Sequence, residues 1–359
     1  MQRQSTCYME TESAMNLLCR CLPEWRGTLN NLKITIALGD YDQTRDLALG
    51  RVQPVGIALT VLNFDVEEIF YRFYERLEWD VSELSMGMYT SAISRGDNRF
   101  IAIPVFPSRV FRHSGIYVRT DGKINDPKGL IGKRVGIPQW SQTAGIYIRG
   151  LLQDVYGVPF QKINWVQGGV NDPGRHEPAV LKLPKGVEIT TITDRSLNEM
   201  IVYGELDAVI TARPPNAFLH SSNVRMLIHD YANVEADYYR STGIFPIMHT
   251  VAIRRDLYEA NRWIARNLFI ALESAKDRSL KRLSDFTASH VPLPWISDLR
   301  QRFLNAGASD RGGLWPYGLK YNRPTLEAFL RYAFEQGSCH RLLRPEELFA
   351  PEALAEIRV

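Results

Sequence analysis

The alternation of short apolar strands with amphipathic helices along residues 32–211 is the feature that most constrains the fold. Leu32–Leu38 and Arg134–Ile137 are rich in apolar and β-branched residues, which predicts buried strands. Val66–Leu77 and Thr143–Tyr156 place apolar residues every three or four positions, which predicts helices with one buried face. Strands and helices that alternate in this way predict parallel sheets covered by helices on both faces.

The length of the chain and the position of its last strand predict two lobes. A chain of 359 residues exceeds what one simple core accommodates. His249–Ile253 predicts a further strand, and the pattern after it is helical. The simplest layout builds most of one lobe, leaves it near residue 120, builds a second lobe and returns near residue 245. Bilobed solute-binding proteins have this layout.

We therefore predict an α/β fold of two lobes, each a mainly parallel sheet flanked by helices, with a ligand cleft between the lobes. Lobe 1 is expected to comprise residues 31–120 and 245–359, and lobe 2 residues 121–244. Residues 1–30 contain only short apolar pieces, so we expect them to form a poorly ordered extension.

The composition argues against several classes of partner. Lys and Arg number 43 against 40 Asp and Glu, which is not the profile of a nucleic-acid-binding protein. No stretch approaches the roughly 20 apolar residues of a membrane span, and residues 1–30 lack a secretory signal pattern, so a cytoplasmic location is expected. Nucleotide-binding and hydrolase motifs are missing, so no organic cofactor is expected. A homo-oligomer would be compatible with a cytoplasmic enzyme.

The loops that follow the strands of lobe 1 supply the first candidate site residues. In parallel sheets, ligands bind beyond the carboxyl ends of the strands. These loops carry acidic, hydroxyl, arginine and histidine side chains, namely Asp40, Asp42, Ser85, Arg109, Arg112 and His113. Arginine is the natural partner of a carboxylate because its planar guanidinium offers paired donors.

The corresponding loops of lobe 2 and the returning segment complete the set. Gln142 and Thr143 open a helix after one strand, Arg213 follows another, and His249 lies on the return crossing. Imidazole titrates near neutral pH and suits proton transfer. Arginines from both lobes, together with hydroxyl and amide groups, predict a ligand that is a compact dianion with hydroxyl substituents.

Each of these residues also has an ordinary structural interpretation. Arg109 and Arg112 could be surface residues that flank a turn. His113 could hydrogen-bond its own loop, and His249, which lies in the apolar stretch Ile244–Val251, could be a core histidine whose ring is hydrogen-bonded. The two aspartates of the first loop could only shape the turn or cap a helix.

Six short motifs resemble those of the 4,5-dihydroxyphthalate decarboxylases, in order and at matching spacing from about residue 32 to the C-terminus. The motifs are Gly39-Asp40-Tyr41-Asp42-x-Thr44-Arg45, Ala102-Ile103-Pro104-Val105-Phe106-Pro107-Ser108-Arg109, Phe111-Arg112-His113-Ser114, Ala212-Arg213-Pro214-Pro215, Thr242-Gly243-Ile244-Phe245-Pro246-Ile247-Met248-His249-Thr250 and Trp315-Pro316-Tyr317-Gly318. The resemblance implies an intracellular enzyme with a fold like that of the type 2 periplasmic binding proteins. It further implies conversion of 4,5-dihydroxyphthalate to protocatechuate and carbon dioxide in phthalate degradation.

The chemistry of that reaction suggests roles for the candidates. Direct loss of carbon dioxide would leave an unstable aryl anion, so the ring carbon should be protonated first. We assign proton transfer to His113 and His249, with Asp40 or Asp42 orienting a histidine or accepting from a catechol hydroxyl. Arg112 and Arg213 would clamp carboxylates from opposite lobes as the cleft closes. The residues expected to bind substrate are Arg112, Arg213, Asp42, Ser85, Gln142, Thr143 and Arg109.

Two alternatives remain open at this point. The chain could be a solute-binding protein for a small aromatic carboxylate that performs no chemistry, or another enzyme on the same fold. Metal dependence is also open, because a catechol and two histidines could share a divalent ion.

Overall fold

The computed structural model describes residues 31–354, and two β-sheets form its framework. The strands in chain order are β1 (Leu32–Leu38), β2 (Ile57–Asn63), β3 (Val81–Ser85), β4 (Phe100–Ile103), β5 (Ile116–Arg119), β6 (Arg134–Ile137), β7 (Asn164–Gln167), β8 (Ile189–Thr191), β9 (Ala208–Ile210), β10 (Val224–Met226) and β11 (His249–Arg254).

Helices cover both sheets. The α-helices are α1 (Asp42–Ala48), α2 (Val66–Arg76), α3 (Met86–Ser94), α4 (Thr143–Asp154), α5 (Leu197–Val202), α6 (Asn216–His220), α7 (Tyr231–Thr242), α8 (Arg255–Ala260), α9 (Trp263–Leu283), α10 (Ile296–Phe303), α11 (Arg323–Glu335) and α12 (Pro351–Leu354). Within residues 31–354, no helix is both long enough and apolar enough to cross a membrane.

The first sheet has the strand order β2-β1-β3-β11-β4 and defines lobe 1. Strands β2, β1 and β3 are parallel, whereas β11 runs antiparallel to both β3 and β4. The alternating pattern of β1 buries Ile34 and Ile36, and α2 buries Ile69 and Phe73 in the same core. Each such side chain contributes about 1.5–3 kcal/mol through its removal from water.

The second sheet has the order β10-β5-β9-β6-β7-β8 and defines lobe 2. Strands β9, β6, β7 and β8 are parallel, with β8 at the edge, and β5 runs antiparallel to β9 and β10. Each sheet therefore combines parallel strands with an antiparallel one near a crossing between lobes. The predicted architecture of two mainly parallel sheets flanked by helices is confirmed.

The strand positions differ from the predicted division of the chain in two respects. β5 pairs within the second sheet, although residues 31–120 were expected in lobe 1, so the first crossing lies between Ile103 and Ile116. In addition, α11 packs against α4, and the side chain of Gln336 accepts a hydrogen bond of 2.7 Å from Arg149 Nε. The C-terminal segment thus contacts both lobes. The predicted extension at residues 1–30 lies outside the described residues.

Candidate active site

A cavity of about 470 Å³ lies between the lobes at the carboxyl ends of several strands. We call it the interlobe cavity. Lobe 1 contributes Val66, Glu67, Phe70, Tyr71, Glu75, Ser85, Met88, Met248 and His249. Lobe 2 contributes Gln139, Ser141, Gln142, Thr143, Ala144, Arg175, His176, Pro178, Ala212 and Arg213, and Arg112 comes from the segment that joins the lobes. Its size suits a small aromatic ligand.

His249 and Glu83 form a hydrogen-bonded pair at the wall of this cavity. Nδ1 of His249 lies 2.6 Å from Oε1 of Glu83, whose side chain is fully buried. The two residues meet because β11 runs antiparallel to β3, with His249 opposite Ser85 and side chains alternating along each strand. Since the carboxylate engages Nδ1, the nitrogen left for a ligand is Nε2.

Glu83 is held by two further donors. The backbone N–H of Gly39 donates to Oε2 at 2.8 Å, and the Tyr41 hydroxyl donates to Oε1 at 2.8 Å. Burial raises the pKa of Tyr41, and the nearby charge of Glu83 raises it further, so the phenol stays protonated as a donor. These bonds fix the carboxylate, and the carboxylate in turn fixes the His249 ring.

Phe70 packs edge-on against the His249 ring, with ring centroids 4.7 Å apart. Phe70 lies on α2 and lines the interlobe cavity. The imidazole is thus restrained on one side by a carboxylate and on another by an aromatic edge. Such restraint favours a single orientation of Nε2 toward the cavity.

Polar groups from the start of α4 form the opposite wall. The hydroxyls of Ser85 and Thr143 are 3.0 Å apart, and the Gly87 N–H donates to the Thr143 hydroxyl at 2.9 Å. These bonds join lobe 1 to lobe 2 beside the cavity. Oε1 of Gln142 is buried without a hydrogen-bond partner among the described residues, so it can accept from a ligand hydroxyl.

Arg112 supplies a largely buried cation. Its Nε donates to the sulfur of Met248 at 3.1 Å. Burial lowers the pKa of Arg112 to about 10, although Tyr117 and Glu235 oppose the shift, so the guanidinium remains charged at neutral pH. No carboxylate within residues 31–354 forms a salt bridge with it. Arg112 is therefore a strong candidate to bind a ligand carboxylate.

Arg175 and Arg213 contribute two more cations from lobe 2, and both face Glu67. Nη1 of Arg175 lies 3.0 Å from Oε2 of Glu67, and Nε of Arg213 lies 3.9 Å from its Oε1. Burial alone would raise the pKa of Glu67, but the hydrogen bond and charge of Arg175 and the charge of Arg213 hold it below its usual value. Glu67 is therefore ionised at neutral pH.

Glu177 fixes the loop that carries Arg175. Its carboxylate accepts hydrogen bonds from the backbone N–H groups of Trp140 at 2.6 Å and Ser141 at 3.2 Å, and from the Ser141 hydroxyl. Arg175 also donates to Gln139 Oε1 at 3.2 Å. The long loop between β7 and β8 is thereby tied to the segment that precedes α4.

The structure corrects the expected placement of Arg109. This residue is buried and donates to the carbonyl oxygens of Phe245 at 3.1 Å and Pro316 at 3.0 Å, and to the side chain of Asn322. Its guanidinium also stacks over Phe106 and Phe245. Arg109 does not line the interlobe cavity. It joins the crossing segment to the C-terminal region, because a buried guanidinium must satisfy its donors.

His113 is also placed away from the interlobe cavity. Its ring is buried, with Nδ1 3.5 Å from Glu235 Oε1 and the ring edge-on to Tyr238. Its backbone N–H donates to the same carboxylate at 3.2 Å. The expected pairing of two histidines across the cleft is therefore not present. Arg112 turns toward the cavity, whereas the neighbouring His113 is enclosed by α7.

Neither aspartate of the first loop lines the interlobe cavity. Asp40 is exposed. Asp42 begins α1, where it accepts hydrogen bonds from Ser279 and, at 3.2 Å, from Arg282 on α9. The orienting role predicted for these residues is instead matched by Glu83, which lies on the next parallel strand of the same sheet.

The acidic residues of α1 predict a pH dependence of stability. Asp46 receives hydrogen bonds from Arg278 at 2.6 Å and Arg282 at 2.8 Å. Burial alone would raise the pKa values of Asp42 and Asp46, but the hydrogen bonds and arginine charges outweigh it and lower both. Their stabilisation is present above the unfolded pKa of about 3.9 and is lost as pH falls through the lower folded values.

We therefore expect the urea concentration at the midpoint of unfolding to decrease as the pH is lowered below about 4. In the Asp46→Asn variant this decrease should be shallower. Asp40→Asn is the matched control, because Asp40 is exposed and forms no salt bridge among the described residues. Equal pH slopes for wild type and Asp46→Asn would contradict this account.

A curated relative decides the family of the chain. The 4,5-dihydroxyphthalate decarboxylase of Comamonas testosteroni is 38% identical over 333 residues, which is 92% of this chain and 100% of the relative. The chain belongs to the 4,5-dihydroxyphthalate decarboxylase family. The enzyme of the same name from Pseudomonas putida is 38% identical over 215 residues, 59% of this chain and 83% of that relative. No protein-family model matches the chain.

A solved structure agrees with the architecture. The periplasmic sulfonate-binding protein SsuA of Methylobacillus flagellatus KT aligns with a TM-score of 0.51 at 12% identity, covering 90% of this chain and 93% of that one. The predicted likeness of this decarboxylase-family chain to type 2 periplasmic binding proteins is confirmed at the level of the fold.

Three residues of the site in this family member were not selected from the sequence. They are Glu83, Glu67 and Arg175. A carboxylate within a strand whose other positions are buried was the available signal for Glu83. No local signal distinguished Arg175, because its loop is rich in charged residues. Within residues 31–354, no three metal-ligating side chains come together.

Proposed function

We propose that the chain decarboxylates 4,5-dihydroxyphthalate, or a close hydroxylated aromatic diacid, to protocatechuate and carbon dioxide. The main support for this proposal is the His249–Glu83 pair at the wall of a cavity that is also lined by arginines. The chain is in addition 38% identical to a named decarboxylase. A proton-transfer group beside carboxylate-binding groups is what this reaction requires.

The proposed reaction begins with binding of the diacid. Arg112, which is largely buried, holds the carboxylate that is retained, while the more exposed arginines of lobe 2 face the carboxylate that departs. Gln142 Oε1 accepts from a ring hydroxyl. Loss to solvent of the proton on the hydroxyl para to the carbon that bears the departing carboxylate then feeds electron density into the ring toward that carbon.

Proton transfer completes the reaction. Protonated His249 transfers the proton on Nε2 to that carbon of the substrate ring, which forms a C–H bond. Before the transfer, Glu83 stabilises the positively charged imidazolium of His249. The bond between the ring and the carboxylate then breaks, carbon dioxide leaves, and the bonding electrons restore the aromatic ring. Solvent then reprotonates both His249 and the phenolate oxygen, so that the overall reaction consumes one proton.

The direct test is incubation of the purified protein with 4,5-dihydroxyphthalate while ring absorbance and carbon dioxide release are followed. We expect stoichiometric formation of protocatechuate and carbon dioxide. Binding without turnover would overturn this proposal and support the solute-binding alternative. A parallel sample with a chelator, followed by addition of single divalent ions, tests metal dependence.

Two predictions from the sequence concern the location and the oligomeric state of the protein. A cytoplasmic location is proposed for the chain, and fractionation of cells that express it natively would test this. A homo-oligomer is tested by light scattering of the purified protein.

A further inference from the structure

Glu67 occupies the part of the interlobe cavity where the two arginines of lobe 2 converge. It lies in the first turn of α2 on lobe 1, whereas Arg175 and Arg213 lie in loops of lobe 2. Its two carboxylate oxygens face the two guanidinium groups separately, at 3.0 Å and 3.9 Å. A carboxylate of the protein thus takes the position that a ligand carboxylate would take.

The contact with Arg213 has the features of an exchangeable ion pair. The Arg213 side chain is 63% exposed and the Glu67 side chain 40% exposed. An ion pair with this exposure is held only weakly, so an incoming anion can replace it. Arg109, in contrast, is enclosed and bonded to backbone carbonyls, so its guanidinium is not free to change partners.

The charges of the cavity favour displacement by a dianion. Three arginines line the cavity, and the two carboxylates that line it are those of Glu67 and Glu75. The arginines exceed the carboxylates by one charge while Glu67 faces them, and by two once Glu67 has moved aside. The charge that remains then matches a ligand with two carboxylates.

We propose that Arg175 and Arg213 form the subsite for the second carboxylate of an aromatic 1,2-dicarboxylate, and that Glu67 is a displaceable internal competitor for it. This inference rests on the proposed function for its choice of substrate. A diacid binds Arg112 with one carboxylate and displaces Glu67 with the other. A monocarboxylate binds Arg112 and leaves the Glu67 contacts in place, so Glu67 and the two arginines discriminate between the classes.

The consequence for turnover follows from charge. When the departing carboxylate becomes neutral carbon dioxide, Arg175 and Arg213 lose their partner, and Glu67 returns to them. Because α2 also carries Phe70, which packs on the His249 ring, Glu67 and the proton-transfer group belong to the same wall of the cavity. The reacting carboxylate is thereby placed at the His249 side.

The test measures binding of phthalate and benzoate by calorimetry to wild type, Glu67→Gln, Glu75→Gln and Arg175→Gln. Neither ligand has the ring hydroxyls that the proposed reaction needs, so binding is read without turnover. We expect Glu67→Gln to bind phthalate about fivefold more tightly, as loss of a competitor worth roughly 1 kcal/mol implies, and to bind benzoate within about twofold of wild type.

Glu75→Gln is the matched control, because it removes the same charge from the same cavity without contact to either arginine. It should change the affinities for phthalate and benzoate equally and only slightly. Arg175→Gln should weaken phthalate about tenfold and leave benzoate nearly unchanged, an effect in the range of one charge-assisted hydrogen bond.

Weaker phthalate binding by Glu67→Gln would overturn the proposal, because it would make Glu67 a residue that positions the arginines. The proposal would also be overturned if Glu67→Gln changed the affinities for phthalate and benzoate equally. The same holds if the wild type bound neither ligand, or bound both with the same affinity. Absence of decarboxylation by a protein that shows the expected binding pattern would count against the proposed function alone.

Discussion

Replacing His249 with alanine is expected to lower kcat/KM for 4,5-dihydroxyphthalate by about 10²–10⁴-fold, the usual contribution of a general acid or base. The physical reason is the loss of the only imidazole among the described residues that combines a carboxylate partner with a place on the cavity wall. Steady-state kinetics measure the effect, and circular dichroism with a thermal melt checks the fold. His249 is at the cavity wall, so we expect the fold to persist.

Two further variants separate proton transfer from packing. Glu83→Gln keeps the shape but removes the charge that stabilises protonated His249, and we expect a loss of at least about 10²-fold. His176→Ala is the control, because His176 also lines the cavity but is exposed and has no salt bridge among the described residues. It should retain turnover within a few-fold. Wild-type turnover by His249→Ala would remove His249 from the mechanism.

Replacing Gly87 with alanine is expected to lower kcat/KM by about 10²-fold, since a displacement near 1 Å at a catalytic site costs that order. Gly87 lies on α3, where a Cβ atom would overlap the carbonyl oxygen of Ser141 and lie 3.3 Å from the N atom of Thr143. Both neighbours belong to lobe 2. The added methyl group therefore forces the lobes apart beside the cavity.

Helix propensity alone predicts that this substitution does no harm to the protein. Alanine favours a helix over glycine by about 1 kcal/mol, so an effect confined to α3 would leave the protein equally or more stable. Ser91→Ala on the same helix controls for a general change in α3. Unchanged kinetics for Gly87→Ala would show that the contact at Ser141 is not needed for activity.

Much of the architecture was predictable because it depends on patterns within short segments. The alternation in Leu32–Leu38 and the helical period in Val66–Leu77 report which side of each element is buried, and the observed β1 and α2 agree with them. The crossing between lobes was less predictable. β5 reads as a strand in either lobe, and its partners β9 and β10 lie more than 80 residues away.

The candidate site was predictable only in part, for a related reason. Arg112, Arg213 and His249 follow or begin strands, so the rule that ligands bind at strand ends places them near the cleft. The same rule nominated Arg109 and His113, but backbone carbonyls and Glu235 enclose them. Sequence position gives the loop and does not give the direction of each side chain.

The sequence by itself determined the two mainly parallel sheets, the cleft between them and the family motifs, because these depend on local periodicity and on contiguous residues. Only the tertiary structure decided that Glu83 is the partner of His249 and that Glu67 faces Arg175 and Arg213. Glu83 and His249 are separated by 166 positions in the chain, and Glu67 and Arg175 by 108. Such pairs form only when strand register and lobe packing bring distant side chains together, and no local pattern encodes that.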